Sequence, residues 1–245
     1  MKICVAFPIE TNEISSLKKE IDEILELRPD FIEFRLDYIK DADLLTGDFL
    51  KELLGCLEEK IPAIFTFRNS KEGGQMTIED KKRWEIINRT IDARPEFVDI
   101  EMKNEDEPLK DAIHNAIEKK VNLIFSYHDF DKTPDYIIAK EIIQKFEEKI
   151  QNLKIDDKEI MEKSIVKLIF YAKKLEDNSI PMRLCKFFSS QNQKIISFCM
   201  GDLGVISRIY CVKAGSRFTF GSYKEKTAPG QVHIKFIRDV LESSA

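Results

Sequence analysis

A chain of 245 residues with 43% hydrophobic side chains can bury one sizeable core, and α/β barrels reach this length as one domain. The formal net charge of −5 and pI of about 5.5 exclude a surface built overall to neutralise a phosphate backbone, so an anionic ligand would have to be gripped by local Arg or Lys. No apolar run approaches the roughly 18 residues of a membrane span, and five cysteines without a C-x-x-C pair read as buried thiols, not as disulfides or a zinc site. The start M-K-I-C-V-A-F-P-I-E turns acidic too soon for a signal peptide, so the expectation is a cytoplasmic protein that binds no metal, membrane or nucleic acid.

In chain order, short apolar or alternating runs at 3–7, 31–36, 62–67, 97–101, 121–126, 165–170, 194–199 and 217–221 predict eight strands. Helical spacing follows the first in Ile14, Leu17, Ile21, Ile24 and Leu25, with Ser15 as the start signal, and the third in Ile78, Trp84, Ile87 and Ile91 after Thr77. Strand then helix, eight times over, predicts a (β/α)8 TIM barrel of the α/β class, with residues 1–245 as a single domain. An open doubly wound sheet is the alternative, but no G-x-G-x-x-G follows the first strand. Between strands 5 and 6, Ile137 to Ile150 predict a long helix, and residues 151–163 are surplus, an extra turn or short helix at the rim.

Several strands carry charge on a face that a barrel does not expose. In F-I-E-F-R-L-D, the period of two sets Ile32, Phe34 and Leu36 on one face and Glu33, Arg35 and Asp37 on the other. A barrel strand packs its outer face on helices, so the charged face must look into the barrel or its mouth, where an unpaired charge is costly. Thr66 and Arg68 on strand 3, and Asp99 and Glu101 on strand 4, repeat the pattern, and strand 6 turns Ile165, Lys167 and Ile169 inward. A buried ion-pair network explains any one of these residues as well as function does. For the whole set, placed toward the C-terminal strand ends where barrel enzymes keep their sites, function is the better reading.

An isolated Lys167 among Val, Ile and Leu would be desolvated, which favours the neutral amine that attacks a ketone to form an imine. A protonated imine is an electron sink that acidifies the neighbouring carbon, so elimination needs only a base and no metal or organic cofactor. Of three histidines, His114 and His233 read as partly buried structural residues of helical segments, whereas His128 ends strand 5 beside strand 6 and can reach atoms next to an imine on Lys167. M-G-D-L-G-V-I-S-R at 200–208 frees the backbone after strand 7 and sets Arg208 about two turns into the next helix. Residues 221–231, G-S-Y-K-E-K-T-A-P-G-Q, read equally as a mobile lid and as an ordinary surface loop.

With these residues assembled, the chain resembles the type I 3-dehydroquinate dehydratases. The motifs are E-F-R-L-D at 33–37, F-T-F-R-N-S-K-E-G-G at 65–74, F-V-D-I-E at 97–101, S-Y-H-D-F at 126–130, the lysine strand at 164–169, M-G-D-L-G-V-I-S-R at 200–208, F-T-F-G at 218–221 and A-P-G-Q at 228–231. They occur in order on the strands already assigned. The resemblance implies conversion of 3-dehydroquinate to 3-dehydroshikimate in the shikimate pathway, through an imine on Lys167 with His128 as general base and then general acid, by a cofactor-free homodimer. It further implies that Glu72 orients His128, that Arg208, Thr227 and Gln231 hold the substrate carboxylate, and that Glu33, Arg35 and Arg68 bind ring hydroxyls. Asp99 and Glu101 would stand behind Lys167 or the arginines.

Departures from the family pattern are Thr227 for the usual Ser, Ala6 for a Ser in some members, and V-K-L-I where V-K-I-A is more usual, which puts Ile169 in place of a small inner residue. The chain also starts at strand 1 without the hairpin that covers the barrel bottom in many members of the family. Two other readings fit part of this pattern. A lysine-imine aldolase would normally want a phosphate cradle near strands 7 and 8, where Arg208 and Gln231 suit a planar carboxylate better. A non-catalytic sensor of a quinate-like acid would be free to lose Lys167, His128 and Glu72, all of which are present.

Overall fold

The computed structural model describes residues 1–155 and 162–243. Its elements are β1 (Ile3–Pro8), α1 (Ile14–Glu26), β2 (Phe31–Arg35), α2 (Gly47–Gly55), β3 (Ala63–Thr66), α3 (Asp80–Asp92), β4 (Phe97–Glu101), α4 (Asp106–Lys119), β5 (Asn122–His128), α5 (Tyr136–Asn152), β6 (Ile165–Tyr171), α6 (Ser179–Ser189), β7 (Ile195–Met200), α7 (Val205–Tyr210), β8 (Thr219–Ser222) and α8 (Ile234–Ser243). All eight strands expected from the sequence form, and they pair in parallel in the order β7-β6-β5-β4-β3-β2-β1-β8. The result is a nearly closed (β/α)8 barrel. Across the β7/β8 seam the Arg217 amide donates to the Ile195 carbonyl at 2.8 Å, and the Phe198 and Phe220 rings meet at 6.2 Å.

Helix α1 buries Leu17, Ile21 and Ile24, spaced by four and three residues, against the sheet. The start signals were misplaced. Glu13 and Glu79, not Ser15 and Thr77, occupy the residues before α1 and α3, so Ile78 lies ahead of its helix. Helix α5 continues the Ile137–Ile150 pattern to Asn152, which absorbs the first of the surplus residues; 156–161 lie outside the described residues. All five cysteines are buried free thiols. His114 is exposed on α4, contrary to the partly buried role expected of it, while His233 is half-buried and its Nδ1 accepts from the Lys235 amide at 3.2 Å at the start of α8. Among the described residues, no helix is long and apolar enough to cross a membrane.

The period of two and the ladder registers stack the inward side chains in layers drawn alternately from even and odd strands. The lowest even layer holds Phe31, Phe97, Ile165 and Phe218. Phe31 stacks on Phe218 at 4.6 Å and meets Phe97 edge-on at 6.3 Å, with Lys2 Nζ 5.5 Å from the Phe31 ring centre. These rings pack against one another across the lower end of the barrel. Above them sit Cys4, Ile64, Ile124 and Ile196, all buried. The next even layer is Glu33, Asp99, Lys167 and Phe220. Chemistry-bearing side chains therefore begin halfway up the barrel, on a floor of hydrocarbon, and continue to its C-terminal mouth.

Candidate active site

Charge enters the middle layer as pairs. Lys167 Nζ donates to Asp99 Oδ2 at 3.0 Å, lies 3.7 Å from Glu33 Oε1 and stands 4.4 Å from the centre of the Phe220 ring. The amine is thus held by two carboxylates and is not isolated among apolar neighbours, as its own strand had suggested: those partners arrive from β2 and β4, which pattern on β6 cannot reveal. Asp99 also receives Arg68 Nη2 at 2.8 Å and the Ser126 hydroxyl at 2.6 Å. Burial opposes ionisation of Asp99, but Arg68 and Lys167 outweigh it and hold the carboxyl well below its usual range.

Arg68 lies two residues beyond β3, and its Nη1 reaches Glu101 Oε1 at 2.9 Å and Ser126 Oγ at 2.6 Å. Glu101 is bridged in turn to Arg83 of α3, so it serves the arginines and not Lys167. Arg35 forms a bidentate pair with Asp37, both contacts at 2.8 Å. Asp37 is not a strand residue as the alternation implied; it belongs to the 3-10 turn Leu36–Tyr38 and also accepts from the Gln75 amide at 3.0 Å, tying the β2 and β3 loops together.

At the mouth, His128 ends β5, opposite Ile169 of β6 and two residues beyond Ser126, the partner of Lys167. Side chains two apart share a face, so the imidazole overhangs the amine. Glu72, in the turn Ser70–Glu72, accepts from the His128 amide at 2.9 Å and faces Nδ1 at 3.1 Å. Burial first, and then the Arg68 and Lys167 cations, hold His128 well below its ordinary pKa, so it is neutral at pH 7. Burial pushes Glu72 up to about 7 against the pull of Arg68.

This shift makes a stability prediction. The folded protein keeps the Glu72 proton until about pH 7, whereas an unfolded carboxyl releases it near 4.5, so the native state binds more protons between these values and loses stability as pH rises through them. Glu72→Gln should flatten that fall. Thermal melting at pH 5 and pH 8 checks it, and parallel losses in the two proteins would contradict it.

Arg208 is the fourth residue of the short helix α7, nearer the strand end than the two turns expected. It is 2% exposed and faces no carboxylate among the described residues. Its guanidinium lies 4.5 Å from the centre of the Phe198 ring, Nη2 donates to the Pro229 carbonyl at 3.0 Å, and Nε has no partner. Burial pulls its pKa down to about 10. The approach of Pro229 depends on Gly230, where a Cβ would come within 2.2 Å of the Gly201 carbonyl. Beyond it, Gln231 Oε1 accepts from the Thr227 amide at 2.7 Å and hydroxyl at 3.2 Å, while Gln231 Nε2 donates to the Gly221 carbonyl at 3.2 Å. Tyr223 and Lys224 of the same loop bond to Glu23 on α1, so the segment is pinned at both ends.

A buried guanidinium without a counter-ion is costly to the folded chain and suits a site awaiting an anion. Arg208→Met should leave thermal stability unchanged or raised, and weaken binding of a carboxylate substrate by about 100-fold. An unchanged KM would contradict a role in anion binding.

Glu33, Arg35, Arg68, Glu72, His128, Lys167, Arg208, Thr227 and Gln231, the nine residues given catalytic or substrate-binding roles from the sequence, line one cleft at the C-terminal mouth. Its apolar wall was not anticipated. Phe198, Met200 and Phe220 face the cleft from β7 and β8, where inward aromatics look like ordinary core in sequence. Phe130 stacks on His128 with ring centres 6.4 Å apart and covers Gly73, where a Cβ would come within 2.3 Å of the ring. Its parity with His128 in S-Y-H-D-F was the available signal.

A (β/α)8 barrel with a lysine, a neutral histidine and an uncompensated arginine converging at its C-terminal mouth defines a barrel enzyme acting on a small anionic molecule. Residues 3–245 match the family model for type I 3-dehydroquinase. The chain is 31% identical over 245 residues to the 3-dehydroquinate dehydratase of Listeria monocytogenes serotype 4b (strain CLIP80459), covering 98% of this chain and 91% of that protein. It is 32% identical over 241 residues to the enzyme of Methanococcus maripaludis (strain C6 / ATCC BAA-1332), covering 98% of each. The crystal structure of type I 3-dehydroquinate dehydratase from Clostridium difficile superposes with a TM-score of 0.79 at 28% identity, covering 99% of this chain and 91% of that one. The chain belongs to the type I 3-dehydroquinase family and is a hydro-lyase of that family.

Proposed function

We propose that the chain dehydrates 3-dehydroquinate to 3-dehydroshikimate through an imine on Lys167, with His128 as general base and general acid. The observation that carries this reading is the convergence in one cleft of the Lys167 amine, the neutral His128 imidazole and an Arg208 guanidinium that faces no carboxylate among the described residues. These are the nucleophile, base and anion anchor that β-elimination from a hydroxy-ketone acid needs.

In this scheme Lys167 Nζ adds to the substrate ketone carbon, and water leaves to give a protonated imine. His128, with Nδ1–H donating to Glu72, presents the Nε2 lone pair to the adjacent methylene and takes a proton from it. The electron pair moves into the imine to form an enamine. As it returns, the C–O bond at the carbon bearing the carboxylate breaks, and His128 gives its proton to the departing hydroxyl, which leaves as water. A second water hydrolyses the imine and frees the product and Lys167, so the net loss is one water.

Arg208 fits the carboxylate, and the Thr227 hydroxyl and Gln231 amide lie beside it. Glu33 and Arg35 fit the ring hydroxyls, with Arg68 adding an N–H from a guanidinium largely committed to Asp99 and Glu101. The Clostridium difficile structure contains covalently modified comenic acid, which supports a site that forms covalent bonds to its ligand. The test is ultraviolet detection of the conjugated enone from 3-dehydroquinate, together with borohydride trapping. Enone formation and a mass adduct at Lys167 are expected; enone without any adduct on active protein would overturn the imine route.

A further inference from the structure

We propose that Ile169 sets the size limit at the reacting methylene, so that the site admits hydrogen there and rejects an alkyl substituent. The inference rests on the imine reading above and concerns which ketones that chemistry can reach.

Ile169 lies on the inward face of β6, one inward position nearer the mouth than Lys167. Its backbone pairs with His128 on one side and Phe198 on the other, and its carbonyl accepts from the Asp129 amide at 2.9 Å. Phe198 in turn carries the Arg208 guanidinium over its ring. Ile169 therefore borders the triangle of amine, imidazole and guanidinium, with His128 and Phe198 on its flanks and Lys167 one inward position below it in the same cleft.

The substrate repeats that triangle. Its ketone carbon bonds to Lys167, its carboxylate-bearing carbon points to Arg208, and the methylene joining the two faces His128. With the substrate anchored in this way, the side chain bordering all three groups is the one placed against the methylene between the two anchored carbons. Ile169 is only 4% exposed, and its β-branch restricts χ1, so it cannot readily swing aside. Ladder pairs on both flanks fix the backbone beneath it. An added methyl on the methylene has to overlap a wall that does not yield.

The test uses 3-dehydroquinate carrying a methyl group on that carbon, in place of the hydrogen that is not removed, with the unmodified compound as reference. Wild type, Ile169→Val and Ile169→Ala are compared by kcat/KM for both compounds, with borohydride trapping alongside. Shortening Ile169 to Ala is expected to raise the ratio of methylated to unmodified kcat/KM by about tenfold or more, with Val moving it less in the same direction. A ratio unmoved in both variants, or wild type turning over the two compounds equally well, would overturn the proposal. Should the Ala variant fail to fold, Val alone decides, since it deletes one methyl group at a cost that cores tolerate. Absence of any Lys167 adduct with the unmodified compound in wild type would instead remove the imine reading itself, and is seen without reference to Ile169.

Discussion

Lys167→Ala is expected to reduce dehydration of 3-dehydroquinate by on the order of 10⁵-fold, the scale at which loss of a covalent nucleophile leaves only binding and positioning. The barrel should survive the change. Asp99 keeps Arg68 and the Ser126 hydroxyl, and Glu33 keeps the Thr66 hydroxyl at 2.8 Å. Arg208 is untouched, so the variant should still be stabilised thermally by substrate while borohydride adds no mass. An adduct on the variant, or turnover near that of wild type, would place the nucleophile elsewhere.

His128→Ala should separate binding from elimination. A general base typically contributes about 10²- to 10⁴-fold, and in the proposed scheme one imidazole serves both proton steps, so a loss toward the upper end of that range is expected. Imine formation needs the amine and the anion grip, both still present, so the Lys167 adduct should persist in borohydride while enone appears slowly. The two variants thus make opposite patterns: no adduct and no product in one, adduct with little product in the other. Near-normal turnover by His128→Ala would require another base, and Glu72 is the carboxylate nearest to that position.

The barrel was legible because period-two strands alternate with helical spacing along the whole chain, and burial enforces that alternation. Legibility failed where partners come from distant strands. Lys167 looked isolated because neighbours on its own strand are Val, Leu and Ile; only closure of the barrel brings Asp99 from 68 residues away in sequence. Asp37 and Arg68 looked like strand residues because their parity was right, yet both lie past strand ends, Asp37 in a 3-10 turn and Arg68 in an irregular segment, where parity no longer dictates direction. Helix starts were misread because Ser15 and Thr77 are good caps by type, while Glu13 and Glu79 stand where the extended backbone enters the helix. The apolar wall of Phe198, Met200 and Phe220 was missed for another reason: an aromatic that lines a cleft and one that fills a core have the same pattern.

The pairing of Lys167 with Asp99 and Glu33 bears on when the protein does its electrostatic work. An imine formed at Nζ and protonated places positive charge where those two carboxylates already point. The surroundings suited to the intermediate are present in the resting protein, assembled as β2, β4 and β6 come into register. Little dipolar rearrangement is then required during turnover. Folding, and not the encounter with substrate, prepares the barrel for a cation at that atom.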